Sequence, residues 1–418
     1  MWGEPFGASV HANRIPVVAC ICAQLQPALD MDDPSIVVLD YGSQTFRGGL
    51  AFNFPSEDEP RICMPTAVTV QQPVASTSAP EQASHSIATH RPVVKGQIVN
   101  MDQLEALIHH CLYPRMGWVY GGEGCVLLCE PLLTPRADRE LLAQLMFEVF
   151  NVAGMFSQDH AVLSLYAVGK VSGSVVDIGH GKVDVATVGD GQLVSASVRR
   201  LPMAGDELDG LLADLLRKRG LELTVAQAGA LKEQCMQVAD SAQEFDRLSN
   251  SAAAGAPGQS GGSGDTPGGD SKTLEHKAYK LPDGQEVTVG AEGLLLGESL
   301  FRPELGGASS PGLSECLMDS VQTQYEGSFR RPALENMLVC GGGSGAGNLA
   351  QRLLKDVRSL AHPSLQPALC AIPEYMPKHA CKHAAWIGGA VLGKVVLGQN
   401  QFVTKWDYEE AGPSVVHR

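Results

Sequence analysis

Two stretches far apart in the chain share one plan. Residues 37–52 read "VVLDYGSQTFRGGLAF" and residues 174–188 read "SVVDIGHGKVDVATV": an apolar strand, an aspartate, one further residue, a glycine, a polar residue and a returning strand. The unbroken apolar run suits a strand buried on both faces, and the glycine permits a tight turn with backbone N–H groups close to an anion. Two such units predict a duplicated plan with a cleft between the copies. Asp40 and Asp177, at the ends of the two strands, would face each other across it, where such a pair can hold a hydrated Mg2+ beneath a triphosphate. A third stretch, "NMLVCGGGSGAGNLAQRLLKDVRSL" (336–360), reads as strand, glycine-rich turn and helix, a further candidate loop for phosphate or nucleoside. Most glycine-rich turns bind nothing, so the paired aspartates carry more weight than any one loop.

Composition narrows the function classes. At 418 residues the chain exceeds what one core usually supports, so two lobes are expected. With 44% hydrophobic and 18% charged residues it is globular, and any disorder is local. Its 31 Lys plus Arg against 46 Asp plus Glu leave a formal charge of −15, which repels phosphate backbones and anionic membranes and suits a basic protein partner.

The 11 cysteines are scattered in apolar contexts such as "GCVLLCEP", the pattern of reduced, buried thiols. The best metal candidate, "HACKH" with His379, Cys381 and His383, supplies three ligands at most on one short segment; a packed loop is expected instead. Near the start, "RIPVVACICAQLQPAL" is broken by Gln24 and Gln26 and is too short to span a membrane. Residues 1–35 are expected to be a disordered N-terminal extension, with Met31 opening "MDDPSIVVLDYG" just before the first strand.

Periodicity places the remaining elements. "NMDQLEALIHHCLY" (100–113) has helical spacing with Asn100 or Asp102 as cap, "GCVLLCEPLL" is a buried strand, and "PRADRELLAQLMFEVFNVAG" is a helix opened by proline and closed by glycine. A shorter helix is expected over "DHAVLSLYAVGK", a hairpin over 173–194, and another turning on Asp283-Gly284 in "AYKLPDGQEVTVG". "QQPVASTSAPEQASHSIATH" (71–90) reads as a mobile low-complexity segment, and 248–275 as a flexible insert.

Taken in order, these segments resemble an actin-related protein. "DRELLAQLMFEVFNVAGMFSQDHAVLSLYAVGKVSGSVVDIGHG" resembles the stretch that joins the two lobes of actin, and "YKLPDGQEVTVG", "AAWIGGAVLGKVV" and "FVTKWDYEEAGPSVVHR" are similar to later actin segments. The resemblance implies the α/β fold shared by actin and the heat-shock-chaperone ATPases, with ATP or ADP and Mg2+ between two similar lobes. It divides the chain into a first lobe over 36–170, a second over 171–383 and a segment 384–418 that returns to the first.

Residue by residue, it implies metal contact through water at Asp40 and Asp177. Nucleotide contacts are implied at Gly42, Ser43, Arg47, Gly179, Gly181, Lys232, Glu233, Gly341, Gly342 and Lys382. Arg47 stands where actin has a lysine, Gln44 replaces a glycine, His180 an aspartate, and Ala346 a tyrosine beside the adenine. His160 and Asp184 occupy the positions from which actin directs its attacking water with a glutamine and a histidine. Those changes imply nucleotide binding with little or no hydrolysis.

The polar segment after Leu50 and the insert at 248–275 disfavour self-polymerisation, because ordering a mobile segment is costly. The tail "GQNQFVTKWDYEEAGPSVVHR" resembles that of the plant-type nuclear actin-related proteins of the SWI/SNF class. That likeness implies a nuclear subunit of a chromatin-remodelling complex, found also in the cytoplasm. Such a subunit would sit beside other actin-related subunits and grip a helix of the remodeller ATPase in a lower cleft near Tyr166, Val391, Leu392 and Val395. Two alternatives stay open: a cytoskeletal capping subunit of a dynactin-like complex, and an ATP-dependent phosphotransferase on the same fold, for which no motif places an acidic base.

Overall fold

The computed structural model describes residues 35–51, 59–73, 85–254, 276–323, 327–377 and 379–417. The expectation for the N-terminal extension therefore lies outside the described residues, apart from Ser35.

Both repeated units are hairpins, and each seeds a sheet. Strand Ile36–Tyr41 is buried at every residue; it runs antiparallel to Thr45–Leu50 and parallel to Cys125–Glu130. Around this trio a six-stranded sheet is completed by Ile62–Pro65 on one side and by Gly154–Asp159 and Val403–Thr404 on the other. In the second sheet Gly173–Ile178 runs antiparallel to Val183–Gly189 and parallel to Met337–Cys340, and the short strands Gln192–Leu193 and Arg199–Leu201 both pair with Val183–Gly189. The equivalence is positional: Asp40 and Asp177 are each the last residue but one of the central strand, opposite Cys129 and Cys340 on the parallel neighbour. Strands sandwiched on both sides need apolar side chains on both faces, which is why both runs lack the alternation of a half-exposed strand.

Two helices join the sheets. His160–Ala167 and Ala384–Gly398 cross so closely that a Cβ added at Gly388 would lie 1.7 Å from the Leu163 carbonyl oxygen. Glycine alone allows that crossing. Around them a single core combines Val38 and Leu127 of the first sheet with Val175 and Leu338 of the second. Trp386, fully buried, donates its indole N–H to the Val38 carbonyl at 3.2 Å.

Local signals held where they were strong. Asn100 caps helix Met101–His110 by accepting from the Gln103 N–H, and the helix continues into a π turn, Cys111–Arg115, that accommodates Pro114. Proline opens Arg136–Gln144, but the helix runs through a π turn only to Val149 and Gly154 starts a strand instead of closing it; the expected hairpin forms from Lys277–Lys280 and Glu286–Val289.

Two stretches read as unstructured are ordered at their ends. Val68–Pro73 and His85–His90 pair antiparallel along their whole lengths, so both ends of 71–90 belong to a hairpin; residues 74–84 lie outside the described ones. Backbone pairing needs no hydrophobic period, and serine and threonine sit in strands without difficulty. Helix Ala242–Ala254 likewise extends into the stretch read as the 248–275 insert, whose residues 255–275 lie outside those described. "HACKH" is a packed loop: Ala380–His383 forms a 3-10 turn with His383 buried, and among the described residues no group of three or more His, Cys, Asp or Glu could hold a metal. No helix among them is long and apolar enough to cross a membrane.

Candidate functional site

The two hairpin turns and the third glycine loop converge on one cavity of about 110 Å3 between the sheets. Asp40, Gly42, Ser43 and Arg47 line it from the first hairpin, Asp177, Gly179 and Gly181 from the second, and Gly341, Gly342 and Lys382 from the loops beyond. These are ten of the residues to which the resemblance assigned metal or nucleotide, and His160 of the altered hydrolytic pair joins them. Lys232, Glu233 and Asp184 do not line it.

Asp40 is almost wholly buried and heavily countered. Its register partner Arg47 reaches back with Nη1 2.8 Å from Oδ2. His160, the first residue of its helix, puts Nε2 3.1 Å from Asp40 Oδ1 and 3.1 Å from the Cys129 carbonyl oxygen. The ring hydrogen bond goes to the carbonyl, so Asp40 Oδ1 lies beside the ring nitrogen without a directed hydrogen bond. Burial by itself would raise the Asp40 carboxyl; Arg47 and His160 outweigh it and hold the group well below the ordinary carboxylate range. Across the cavity, Asp177 Oδ2 is 3.9 Å from His160 Nδ1. Arg47 Nε donates to His383 Nδ1 at 2.9 Å, and burial together with the Arg47 charge pushes His383 down to about 4, so the ring is a neutral acceptor near pH 7.

Tight turns hold the loops. Gly42 N–H donates to the Thr45 carbonyl at 3.1 Å and Gly179 N–H to the Lys182 carbonyl at 2.8 Å. The loops also touch each other: a Cβ on Gly181 would lie 2.6 Å from Ser43 Oγ, which itself accepts from the Gly96 N–H at 2.9 Å. Gly341, with φ of +85°, comes so close that its Cβ would lie 2.4 Å from Asp177 Oδ1. A side chain at Gly181 would collide with Ser43, and one at Gly341 with Asp177 and the Ile178 carbonyl.

Asp184 is fully enclosed in ion pairs. Lys182 Nζ is 2.5 Å from its Oδ2, and Arg200 forks onto both oxygens, Nε at 2.6 Å and Nη2 at 2.9 Å. Burial would raise this carboxyl, but the two cations hold it below its ordinary value. On the far side, Lys232 Nζ donates to the Gly205 carbonyl at 2.8 Å and pairs with Asp209 at 2.6 Å, while Glu233 beside it is exposed. Between them and the cavity stands His180, 2.9 Å from Arg91 Nη1 and 3.7 Å from Asp209 Oδ2. Burial lowers its pKa.

Three residues of this arrangement escaped the sequence reading: Lys182, Arg200 and Arg91. For Lys182 a signal existed, since a lysine interrupts the apolar run of a buried hairpin at "GHGKVDV". Arg200 and Arg91 come from distant segments with no local mark, and His383, read only as a possible ligand in "HACKH", is instead the acceptor for Arg47. The proposed partner residues lie elsewhere: Tyr166, Val391 and Leu392 are half-buried against the core shared by the sheets, and Val395 is 47% exposed.

As a donor set the cavity wall fits an anion. Glycine turns, Ser43 and the cations Arg47, Lys182 and Lys382 suit phosphate groups. A metal held by the protein alone is not matched, because Asp40 is already engaged by Arg47 and His160.

Comparison with known proteins agrees with this architecture. The actin family model matches residues 31–228 and 226–418. Actin-related protein 7 of Oryza sativa subsp. indica is 35% identical over 384 residues, covering 91% of this chain and 98% of the relative. Actin-related protein 7 of Arabidopsis thaliana is 36% identical over 385 residues with the same shares. The sheet duplication, the cavity between the sheets and these matches over nearly the whole chain lead to one assignment: the chain belongs to the actin family, as an actin-related protein.

Proposed function

We propose that this protein is a nucleotide-binding structural subunit that holds ATP or ADP with weak or absent hydrolysis. The observation that carries this reading is the state of the two positions that would handle an attacking water. Asp184 has both oxygens taken by Lys182 and Arg200, and His160 is directed to Asp40 and the Cys129 carbonyl. A general base must reach the proton it removes: Asp184 is not free to do so, and His160, with Nε2 committed, offers only Nδ1 beside Asp177 and does not orient a water as an amide does. The phosphate chain would lie among Gly42, Ser43, Gly179, Gly181 and Lys382, with the nucleoside toward Gly341 and Gly342. Mg2+ would arrive with the nucleotide, in contact with Asp40 and Asp177 through water.

The same reading places the protein in the nucleus, and secondarily in the cytoplasm, within a chromatin-remodelling complex of the SWI/SNF type. Its partners there are an amphipathic helix of the remodeller ATPase and other actin-related subunits, and it neither polymerises nor binds specific nucleic-acid sequences. Apolar anchoring by Leu392, Val391, Val395 and Tyr166 supports the helix, and a net charge of −15 favours a basic one. The test is acid extraction of the purified protein for bound nucleotide, followed by phosphate release beside actin under identical conditions. Nearly stoichiometric nucleotide with slower turnover is expected; turnover at actin's rate or above rejects the reading.

A further inference from the structure

We infer that His180 is a pH-sensitive fastener across the cleft: in its neutral form it holds residues 91–96 closed along the edge of the cavity, and on protonation it lets them go. The inference concerns the wall of the cavity and does not require that nucleotide be bound.

Residues 91–96 lie against both hairpin turns. The Gly96 N–H donates to Ser43 Oγ at 2.9 Å, a Cβ on Gly181 would lie 3.0 Å from the Lys95 nitrogen, and a Cβ on Gly96 would lie 2.7 Å from Lys182 Cδ. Ser43, Gly181 and Lys182 all line the cavity, so this segment forms part of its rim. Two side-chain contacts tie the segment to the second side. Lys95 Nζ meets Glu207 Oε1 at 2.7 Å, an exposed pair that contributes little. Arg91 Nη1 lies 2.9 Å from His180 Nε2, and this contact fixes the state of the ring. A guanidinium has only donors, so Nε2 is the acceptor and the ring proton sits on Nδ1, 3.7 Å from Asp209 Oδ2. A second proton, on Nε2, would set two cations face to face.

The surroundings of the ring offer that proton another partner. The His180 side chain is 9% exposed, and it is faced by Asp206 and Asp209 of helix Gly205–Lys218, Lys232 of helix Val225–Cys235, and Arg91. Lys232 and Asp209 are committed to each other at 2.6 Å. Asp206 Oδ1 lies 3.6 Å from His180 Nε2 and, among the described residues, has no other ion pair. The Asp206 N–H also donates to the His180 carbonyl at 2.7 Å, which keeps the histidine with its helix. A protonated ring therefore turns Nε2–H toward Asp206, and Arg91 loses its acceptor. Burial, the Lys232 charge and Arg91 together outweigh the two acids and hold the ring below its ordinary 6.5. The contact is thus complete above about pH 6.5 and is lost as the pH falls below it.

The experiment follows amide hydrogen exchange of residues 91–98 in the full chain from about pH 8 to about pH 5, corrected for the intrinsic pH dependence of exchange, for the parent, His180→Gln and Arg91→Met. Protection in the parent is expected to fall about ten-fold over that range, the worth of one hydrogen bond to a charged group. His180→Gln, whose amide oxygen still accepts from Arg91, should stay protected throughout, and Arg91→Met should show the low value at both ends. Thermal melting checks that the variants fold; Arg91 is exposed, so its replacement spares the core. Parent protection that is independent of pH overturns the inference. So does a folded His180→Gln that loses protection as the parent does, or an Arg91→Met as protected as the parent at neutral pH. Because the readout needs no nucleotide, none of these outcomes decides the nucleotide reading.

Discussion

Asp40 and Arg47 are direct cross-strand partners of the first hairpin, and the guanidinium closes onto the carboxylate at 2.8 Å. A residue aligned with a phosphate-binding lysine is thus also the main counter-ion of the strand-end aspartate. Under the proposed nucleotide reading, structure and binding would share one charge.

Removing that charge should be costly. Arg47→Met leaves Asp40 buried beside His160 alone, and losing one member of a buried pair typically costs about 3 kcal/mol. The folded Asp40 carboxyl lies below its unfolded value, so its contribution is complete above about pH 4 and declines as the pH falls below that toward the folded value. The gap between parent and variant in urea unfolding should therefore be full at pH 7 and narrow below about pH 4. Equal midpoints at pH 7 would show that the pair contributes nothing.

His383 predicts a pH dependence of opposite origin. Its ring is held at about 4 against an ordinary 6.5, so the folded protein keeps it neutral where the unfolded chain binds a proton. By linkage, stability falls as the pH drops from 6.5 and this loss is complete near 4. His383→Gln, which retains an acceptor for Arg47, should flatten the melting temperature across that window. An unchanged slope would assign the acid sensitivity to other groups.

The proposed partner cleft is tested at Leu392, half-buried against the core that joins the sheets. Leu392→Asp should weaken binding of a remodeller helix by about ten-fold, some ~1.4 kcal/mol, because docking would bury an unpaired carboxylate. Unaltered affinity in a variant that melts like the parent would move the helix to another surface.

Much of the architecture could be read from residue order alone. The two strand–aspartate–glycine units, the Asn100 cap, the proline-opened helix and the Asp283-Gly284 turn are short-range features, governed by local conformational preference and by the period of apolar residues. Resemblance to actin likewise marked ten of the residues around the cavity. What the residue order could not decide was charge pairing. Arg47 and His383 are 336 positions apart and 2.9 Å from each other; Arg200 reaches Asp184 and Leu132 from a separate strand. Nor did composition reveal the hairpin framing 74–84, because backbone hydrogen bonds ask little of the side chains. Periodicity reports which faces are buried, whereas the state of a buried carboxylate depends on which cations the folded chain brings within a few ångströms, and for Asp40 and Asp184 only the tertiary structure decided that.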